Sequence, residues 1–205
     1  MTDTAHSSPL LVADSLSLTR GGRELFRDLS FEINAGQLVQ LEGSNGAGKT
    51  SLIRILVGLS RYGFDGTVTR PAPILYLGHL PGVKAMLSPR ENLAWHASGE
   101  GTYSDTAIEQ ALQQVGLYGY EDVPSHALSA GQHRRVNLAR LYLSSCPLWV
   151  LDEPFAAIDK SGVSALEAQL LQHVSCGGAV VMTSHQALQV DYTLEKLRLD
   201  GGIVS

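Results

Sequence analysis

The sequence predicts an α/β fold: a mostly parallel core sheet, an antiparallel β subdomain and a helical subdomain. Three observations carry this. The tetrads Leu148-Trp149-Val150-Leu151 and Ala179-Val180-Val181-Met182 are wholly apolar, as strands covered on both faces of a parallel sheet must be. Residues 10–42 instead alternate apolar with polar positions, the mark of half-buried antiparallel strands. Residues 89–145 carry mainly helical signals.

Taken in order, Val12, Leu16 and Leu18 stand among polar residues, and Arg20-Gly21-Gly22-Arg23 reads as a turn. Leu29, Phe31 and Ile33 alternate again, Asn34-Ala35-Gly36 turns, and Leu38-Val39-Gln40-Leu41 is a short strand entering a Gly-rich loop. Beyond Gly48, the residues Leu52, Ile55, Leu56 and Leu59 recur at helical spacing, with Gly58 near the helix end. Ile74-Leu75-Tyr76-Leu77 is a further strand. Ser88-Pro89 with Glu91 resembles a helix start. Ile108, Leu112 and Val115 form an apolar stripe closed by Gly116. Leu166, Leu170 and Leu171 belong to a helix between the two apolar strands. No internal repeat is present, so residues 1–205 are expected to form one domain, with the helical subdomain at roughly 79–135.

Composition narrows the function classes. A chain of 205 residues can bury a real core. Its net charge of −5, with no basic run, argues against nucleic-acid binding. Cys146 and Cys176 lack CxxC spacing and are expected to be reduced thiols. The start, MTDTAHSSPL, has no basic n-region followed by an apolar stretch. No apolar run approaches the roughly 20 residues needed to span a bilayer. The chain is therefore expected to be soluble and to reach a membrane only through a partner.

The chemistry is concentrated in two motifs. Gly43-Ser44-Asn45-Gly46-Ala47-Gly48-Lys49-Thr50 follows a strand and opens a helix, matching G-x-x-x-x-G-K-[ST]. Glycines let the backbone wrap phosphates, the loop N–H groups form an anion nest, and the helix N-terminus adds positive potential. Lys49 is expected on the β- and γ-phosphates, Thr50 on Mg²⁺, and Ser51 beside them. The strand 148–151 then ends in Asp152-Glu153. Acids at the end of a buried strand need a counter-charge, and Mg²⁺ supplies one: Asp152 would hold the cation and Glu153 would act as general base on water. Both motifs, in this order, identify a P-loop NTPase.

Three further segments resemble one P-loop family. Leu128-Ser129-Ala130-Gly131-Gln132 is similar to the LSGGQ signature of ABC ATPases, Phe155-Ala156-Ala157-Ile158-Asp159 to their D-loop, and Thr183-Ser184-His185 to their switch histidine. The resemblance covers nearly the whole chain and implies the ABC-ATPase fold. It implies a homodimer in which Ser129, Ala130, Gly131 and Gln132, opening a helix over 131–144, contact nucleotide bound to the other copy. It also implies that Asp159 reports across the dimer, that His185 contacts the γ-phosphate and the attacking water, and that Glu153, His185 and Lys49 are catalytic. ATP and Mg²⁺ are the implied cofactors.

Two positions depart from the family pattern. Arg20 falls where an aromatic residue commonly stacks on adenine; its guanidinium could stack instead, or it is a solvated turn residue. His79 stands where the family has a Gln; it could ligate the Mg²⁺ water shell or act as a neutral spacer. These variants, within Gly78-His79-Leu80-Pro81-Gly82-Val83-Lys84 and together with Arg134-Arg135-Val136, resemble the ATP-binding subunits of cytochrome c maturation (haem export) systems. That narrower likeness implies integral membrane partners of the CcmB and CcmC type, and a place at the cytoplasmic face of the inner membrane. The work would be haem export or release of a haem-loaded chaperone. An ABC ATPase for another cargo is the alternative, and a soluble ABC ATPase a more distant one. No haem-ligand set stands out: His6, His96, His126, His133 and His173 are scattered and read as surface or packing residues.

Overall fold

The computed structural model describes residues 8–96, 102–186, 188, 191–199 and 202–204. It divides into two compact units. One comprises residues 1–76, 146–152 and 171–205, the other residues 77–145 and 153–170.

The first unit is built on two sheets. β1 (Leu11–Arg20), β2 (Arg23–Ile33) and β4 (Asp65–Thr69) form an antiparallel sheet in the order β2-β1-β4. Gly21 and Gly22 both take positive φ between the paired Arg20 and Arg23, the backbone that a two-residue hairpin loop requires. The second sheet runs β5-β6-β7-β3-β8-β9, from β3 (Leu38–Glu42), β5 (Ile74–Leu77), β6 (Leu148–Leu151), β7 (Ala179–Thr183), β8 (Leu194–Arg198) and β9 (Gly202–Val204). The pairs β3–β7, β3–β8 and β6–β7 are parallel, and β9 returns antiparallel on β8. Every residue of β6 and β7 is buried, as their unbroken apolar runs require. α1 (Lys49–Leu56) buries Leu52, Ile53, Ile55 and Leu56 in the same core as the strands.

The helical stripe reaches less far than the sequence suggests. α1 stops at Leu56, and Leu59 is 60% exposed. Gly58 (φ 78°) donates to the Ile55 carbonyl and Leu59 to that of Arg54. This left-handed Schellman closure turns the chain off the helix axis before Leu59.

The second unit holds α2 (Pro89–His96), α3 (Asp105–Gln114), α4 (Ala130–Ala139), a 3₁₀ turn at Arg140–Tyr142, and the start of α5 (Lys160–Ser175). Ser88 and Glu91 cap α2 reciprocally. α3 ends on Gly116 (φ 70°), and Leu117, wholly buried, donates to the Leu112 carbonyl. Leu93, Ile108, Leu112, Leu117, Leu128 and Val136 make the core. The signature helix expected over 131–144 ends at Ala139, where the chain tightens into the 3₁₀ turn. Among the described residues no helix is long and apolar enough to cross a membrane. Cys146 and Cys176 are free thiols, the first buried and the second exposed.

Three strands, β4, β8 and β9, had no sequence signal of their own. β4 reads Asp-Gly-Thr-Val-Thr and has no fully buried residue, and β8 buries only Leu197. Their place comes from pairing with a neighbour, not from an apolar pattern of their own.

Gly66 gives this pairing a test. Its φ is 92°, and a Cβ there would lie 2.5 Å from the carbonyl oxygens of Asp14 and Ser15 on β1. Gly66→Ala is expected to lower unfolding free energy by about 2–4 kcal/mol, through left-handed strain and backbone overlap together. Urea denaturation measures it; a loss under about 0.5 kcal/mol would mean that β4 lifts off β1 freely.

Candidate functional site

In the first unit, three neighbouring parallel strands deliver the candidate residues to one edge. β3 runs into the Gly43–Thr50 loop, β6 ends at Asp152, and β7 ends at Thr183, two residues before the exposed His185. Register places Leu41 opposite Thr183 and Leu151 opposite Met182. The ends of these strands are therefore nearly level. Open parallel sheets bind ligands at this edge, the carboxyl ends of the strands.

The loop is shaped by its glycines. Gly48 caps α1 at φ 106°, and a Cβ there would stand 3.1 Å from the Leu25 Cβ. Gly46 also has positive φ. Gly43, Ser44, Asn45, Gly46 and Thr50 are exposed, whereas Ala47, Gly48, Lys49 and Ser51 are partly buried. Lys49 Nζ donates to the carbonyls of Gly43 (2.6 Å) and Ser44 (3.2 Å), so the ammonium lies folded over the loop it serves. Just before the loop, Glu42 pairs with Lys196 (2.7 Å) and Arg198 (3.5 Å) on β8. The Lys196 hydrogen bond, more than any other influence, holds the Glu42 carboxyl below the usual carboxylate range; burial opposes it, and the charges of Lys196 and Arg198 add to it.

Asp152 is only 2% exposed, and its Oδ1 accepts from the Thr183 hydroxyl at 2.8 Å. A carboxylate and a hydroxyl are hard oxygen donors suited to Mg²⁺, and Asp152 and Thr50 offer that set. Among the described residues no three His, Cys, Asp or Glu side chains gather as a metal cage.

The second unit holds the remaining candidates. Ser129 opens α4 with a full capping box: Gln132 N donates to Ser129 Oγ, and Ser129 N donates to Gln132 Oε1. The box fixes the serine while its O–H stays able to donate outward. Ala130 is exposed, and Gly131 lies close to the Ala157 carbonyl, which a Cβ would approach to 3.2 Å. Asp159 caps α5, accepting from Gly162 N and Ser161 Oγ, and pairs with Arg135 at 2.8 Å. The Gly162 N–H first, then Ser161, with Arg135 adding, hold its carboxyl below the usual range. The His79 side chain is exposed.

The sequence reading assigned no role to the residue that organises this unit's backbone. Arg134 is 3% exposed; its guanidinium donates to the carbonyls of Gly78 (3.0 Å), His79 (3.4 Å), Pro154 (3.4 Å) and Glu153. Glu153 itself sits at φ 53° and Ala157 at φ 60°, unfavourable backbone for residues with a Cβ. Arg134 thus holds the peptide of the candidate base in a conformation it would not choose alone. In the sequence it appears only within the Arg134-Arg135-Val136 run that follows the signature segment. His173 is also structural: its ring stacks on Trp149 (centroids 3.7 Å, planes 6° apart), and burial pushes its pKa down. Burial, then Arg140 and Lys84, pushes His96 down to about 4. His6 lies outside the described residues.

The ABC transporter family matches residues 26–156. The cytochrome c biogenesis ATP-binding export protein CcmA of Yersinia pseudotuberculosis serotype I (strain IP32953) is 50% identical over 202 residues, 93% of each chain. The protein of that name from Shewanella sp. (strain MR-7) is 46% identical over 213 residues, 98% of each. Among solved structures, the ATP-binding subunit of an ABC transporter superposes with a TM-score of 0.81 at 22% identity, over 92% of this chain and 85% of that one. A dimeric ATP-binding cassette in a post-hydrolysis state, bound to ADP and Pi, gives 0.76 at 18% identity, over 86% and 88%.

Arg134→Lys is expected to cost about 2–3 kcal/mol of unfolding free energy, because an ammonium cannot reach four carbonyls in a planar fork. Equilibrium denaturation reads the loss directly. A cost under about 0.5 kcal/mol would mean that the carbonyls of Gly78 and Glu153 find other donors.

Proposed function

We propose, for a chain that belongs to the ABC transporter family of ATP-binding proteins, the role of ATP-hydrolysing subunit in a membrane complex serving c-type cytochrome biogenesis. The chain is an ABC-type ATPase; its relatives named CcmA, similar along almost their whole length, support the narrower role. The observation that carries the chemistry is the level arrival of the phosphate loop, Asp152 and the Thr183–His185 segment at the ends of three adjacent parallel strands.

The loop N–H groups from Gly43 to Thr50 and the α1 N-terminus bind the polyphosphate. Lys49 leaves the Gly43 and Ser44 carbonyls for the β- and γ-phosphates. Thr50 and Asp152 would hold Mg²⁺, which would supply positive charge to offset that of the phosphates; the Thr183 hydroxyl, donating to Asp152 Oδ1, fixes the carboxylate. Glu153 takes a proton from water as the water oxygen bonds to the γ-phosphorus. The bond from that phosphorus to the β–γ bridging oxygen breaks, giving ADP and phosphate. His185 orients the water and donates to the γ-phosphate. Ser129, Ala130, Gly131 and Gln132 of a second copy complete each site, so the working enzyme is a homodimer with two ATPs between its subunits. Asp159 would lie at that interface, and His79 would either serve the Mg²⁺ water shell or act as a neutral spacer.

Residues 1–205 act as one ATPase domain, with a helical subdomain at roughly 79–135 that transmits closure to integral membrane subunits of the CcmB and CcmC type. The chain would sit peripherally on the cytoplasmic face of the inner membrane. Haem export and release of a haem-loaded chaperone are both compatible with this arrangement.

Glu153→Gln, reconstituted with the membrane partners, is expected to lower ATP turnover at least about 100-fold while ATP still binds. Covalent haem attachment to c-type cytochromes in cells is expected to fail with it. Normal cytochrome maturation despite lost hydrolysis would retain the ATPase and reject the cytochrome role.

A further inference from the structure

A carboxylate stands immediately before the Gly43–Thr50 loop. Glu42 is the last residue of β3, and Gly43 opens the loop. On the neighbouring parallel strand β8, Lys196 stands opposite Gln40 and Arg198 opposite Glu42, so the period of two turns both cations to the face that Glu42 occupies. Lys196 Nζ lies 2.7 Å from one Glu42 oxygen, and Arg198 Nε 3.5 Å from the other. One carboxylate thus meets two cations, and the cluster carries one net positive charge. Water reaches it, since the side chains of Glu42, Lys196 and Arg198 are 28%, 45% and 54% exposed. Leu199, the next residue along, reaches the loop itself: a Cβ on Gly43 would lie 3.9 Å from its Cδ1.

A carboxylate here has a use and a cost. β8 buries only Leu197, so the pairs to Glu42 help to hold this polar strand on β3 where apolar packing is thin. The cost is electrostatic. A loop that must receive a polyphosphate begins one residue after a negative charge, and at about 0.01 M salt like charges repel over roughly 30 Å. The two β8 cations remove that repulsion. We propose that Lys196 and Arg198 mask Glu42, and that nucleotide binding at the loop depends on this mask although neither cation belongs to the loop motif. The inference rests on the phosphate-loop reading above. A plain mechanical brace would behave differently. Breaking it from either side would loosen the loop and weaken binding alike. A mask makes its two sides act with opposite sign, because one carries the repelling charge and the other cancels it.

Equilibrium binding of inorganic tripolyphosphate and of the β,γ-imido analogue of ATP to the full chain, with Mg²⁺ at about 0.02 M salt, separates the two. Lys196→Gln combined with Arg198→Gln uncovers the carboxylate and is expected to weaken both probes about tenfold. Glu42→Gln leaves two cations and no carboxylate, and should tighten both about threefold. All three substitutions together should restore binding to within about twofold of the unmodified chain, which also shows that the loop still folds. At about 1 M salt, where the screening length is about 3 Å, every difference should shrink below about twofold. Unchanged or weaker binding in Glu42→Gln would overturn the proposal, as would a triple variant no better than the paired one. A loss that persists at about 1 M salt, or one seen with the analogue but not with tripolyphosphate, would overturn it too. Should the paired variant fail to fold, the sign of the Glu42→Gln change decides alone. An unmodified chain that binds neither probe would remove both the phosphate-loop reading and the proposal.

Discussion

The parallel pairing of β3 and β6 on either side of β7 is the constraint on which the rest of the structure depends. A parallel sheet sends every strand the same way, so the loops leaving three neighbours emerge along one edge. Here those loops begin with the glycines of the Gly43–Thr50 segment, Asp152 and the Thr183–His185 segment. The apolar cores of β6 and β7 keep this edge in register, because any slip would carry Asp152 or Thr183 away from its partner. The Asp152–Thr183 hydrogen bond joins two of the strands where the chemistry starts. A buried carboxylate is costly without such a partner.

The two units meet the problem of rigidity differently. In the sheet unit, burial does the work: Leu38, Val39, Leu148, Val150 and Val181 are wholly buried. The helical unit has a smaller core and uses polar fasteners. Ser88–Glu91 and Ser129–Gln132 close the starts of two helices. Arg135 pairs with Asp159 and also reaches the carbonyls of Val115 and Gly116, just past the end of α3, and Arg134 binds four backbone oxygens. Glu153 and Ala157 sit in left-handed backbone within this net. That conformation persists only where surrounding hydrogen bonds over-determine it.

Much of the site could be read along the chain because its motifs are local. A phosphate loop needs its glycines, lysine and threonine in consecutive positions, since one backbone nest must be followed by one helix N-terminus. Ser129 and Gln132 sit three residues apart because that is the reach of a capping box. The apolar tetrads at 148–151 and 179–182 announced buried parallel strands by composition alone. The polar strands β4 and β8 escaped, and so did the halt of α1 before Leu59. Their shape is imposed by a neighbouring strand or by one glycine's backbone angle, and neither leaves a periodic trace.

The sequence by itself determined the groups available: a glycine-rich loop with its lysine and threonine, two carboxylates at the end of an apolar strand, and a helix start capped by Ser129 and Gln132. Each of these is written within a few consecutive residues. Only the tertiary structure decided which distant groups share a neighbourhood. It brought Thr183 to Asp152 across 31 positions, laid His173 on Trp149, and turned Arg134 inward onto the peptide of Glu153. The order of strands in a sheet and the direction of a buried cation follow from long-range packing, where side chains far apart in sequence compete for the same volume. No local pattern of residue types encodes the outcome of that competition.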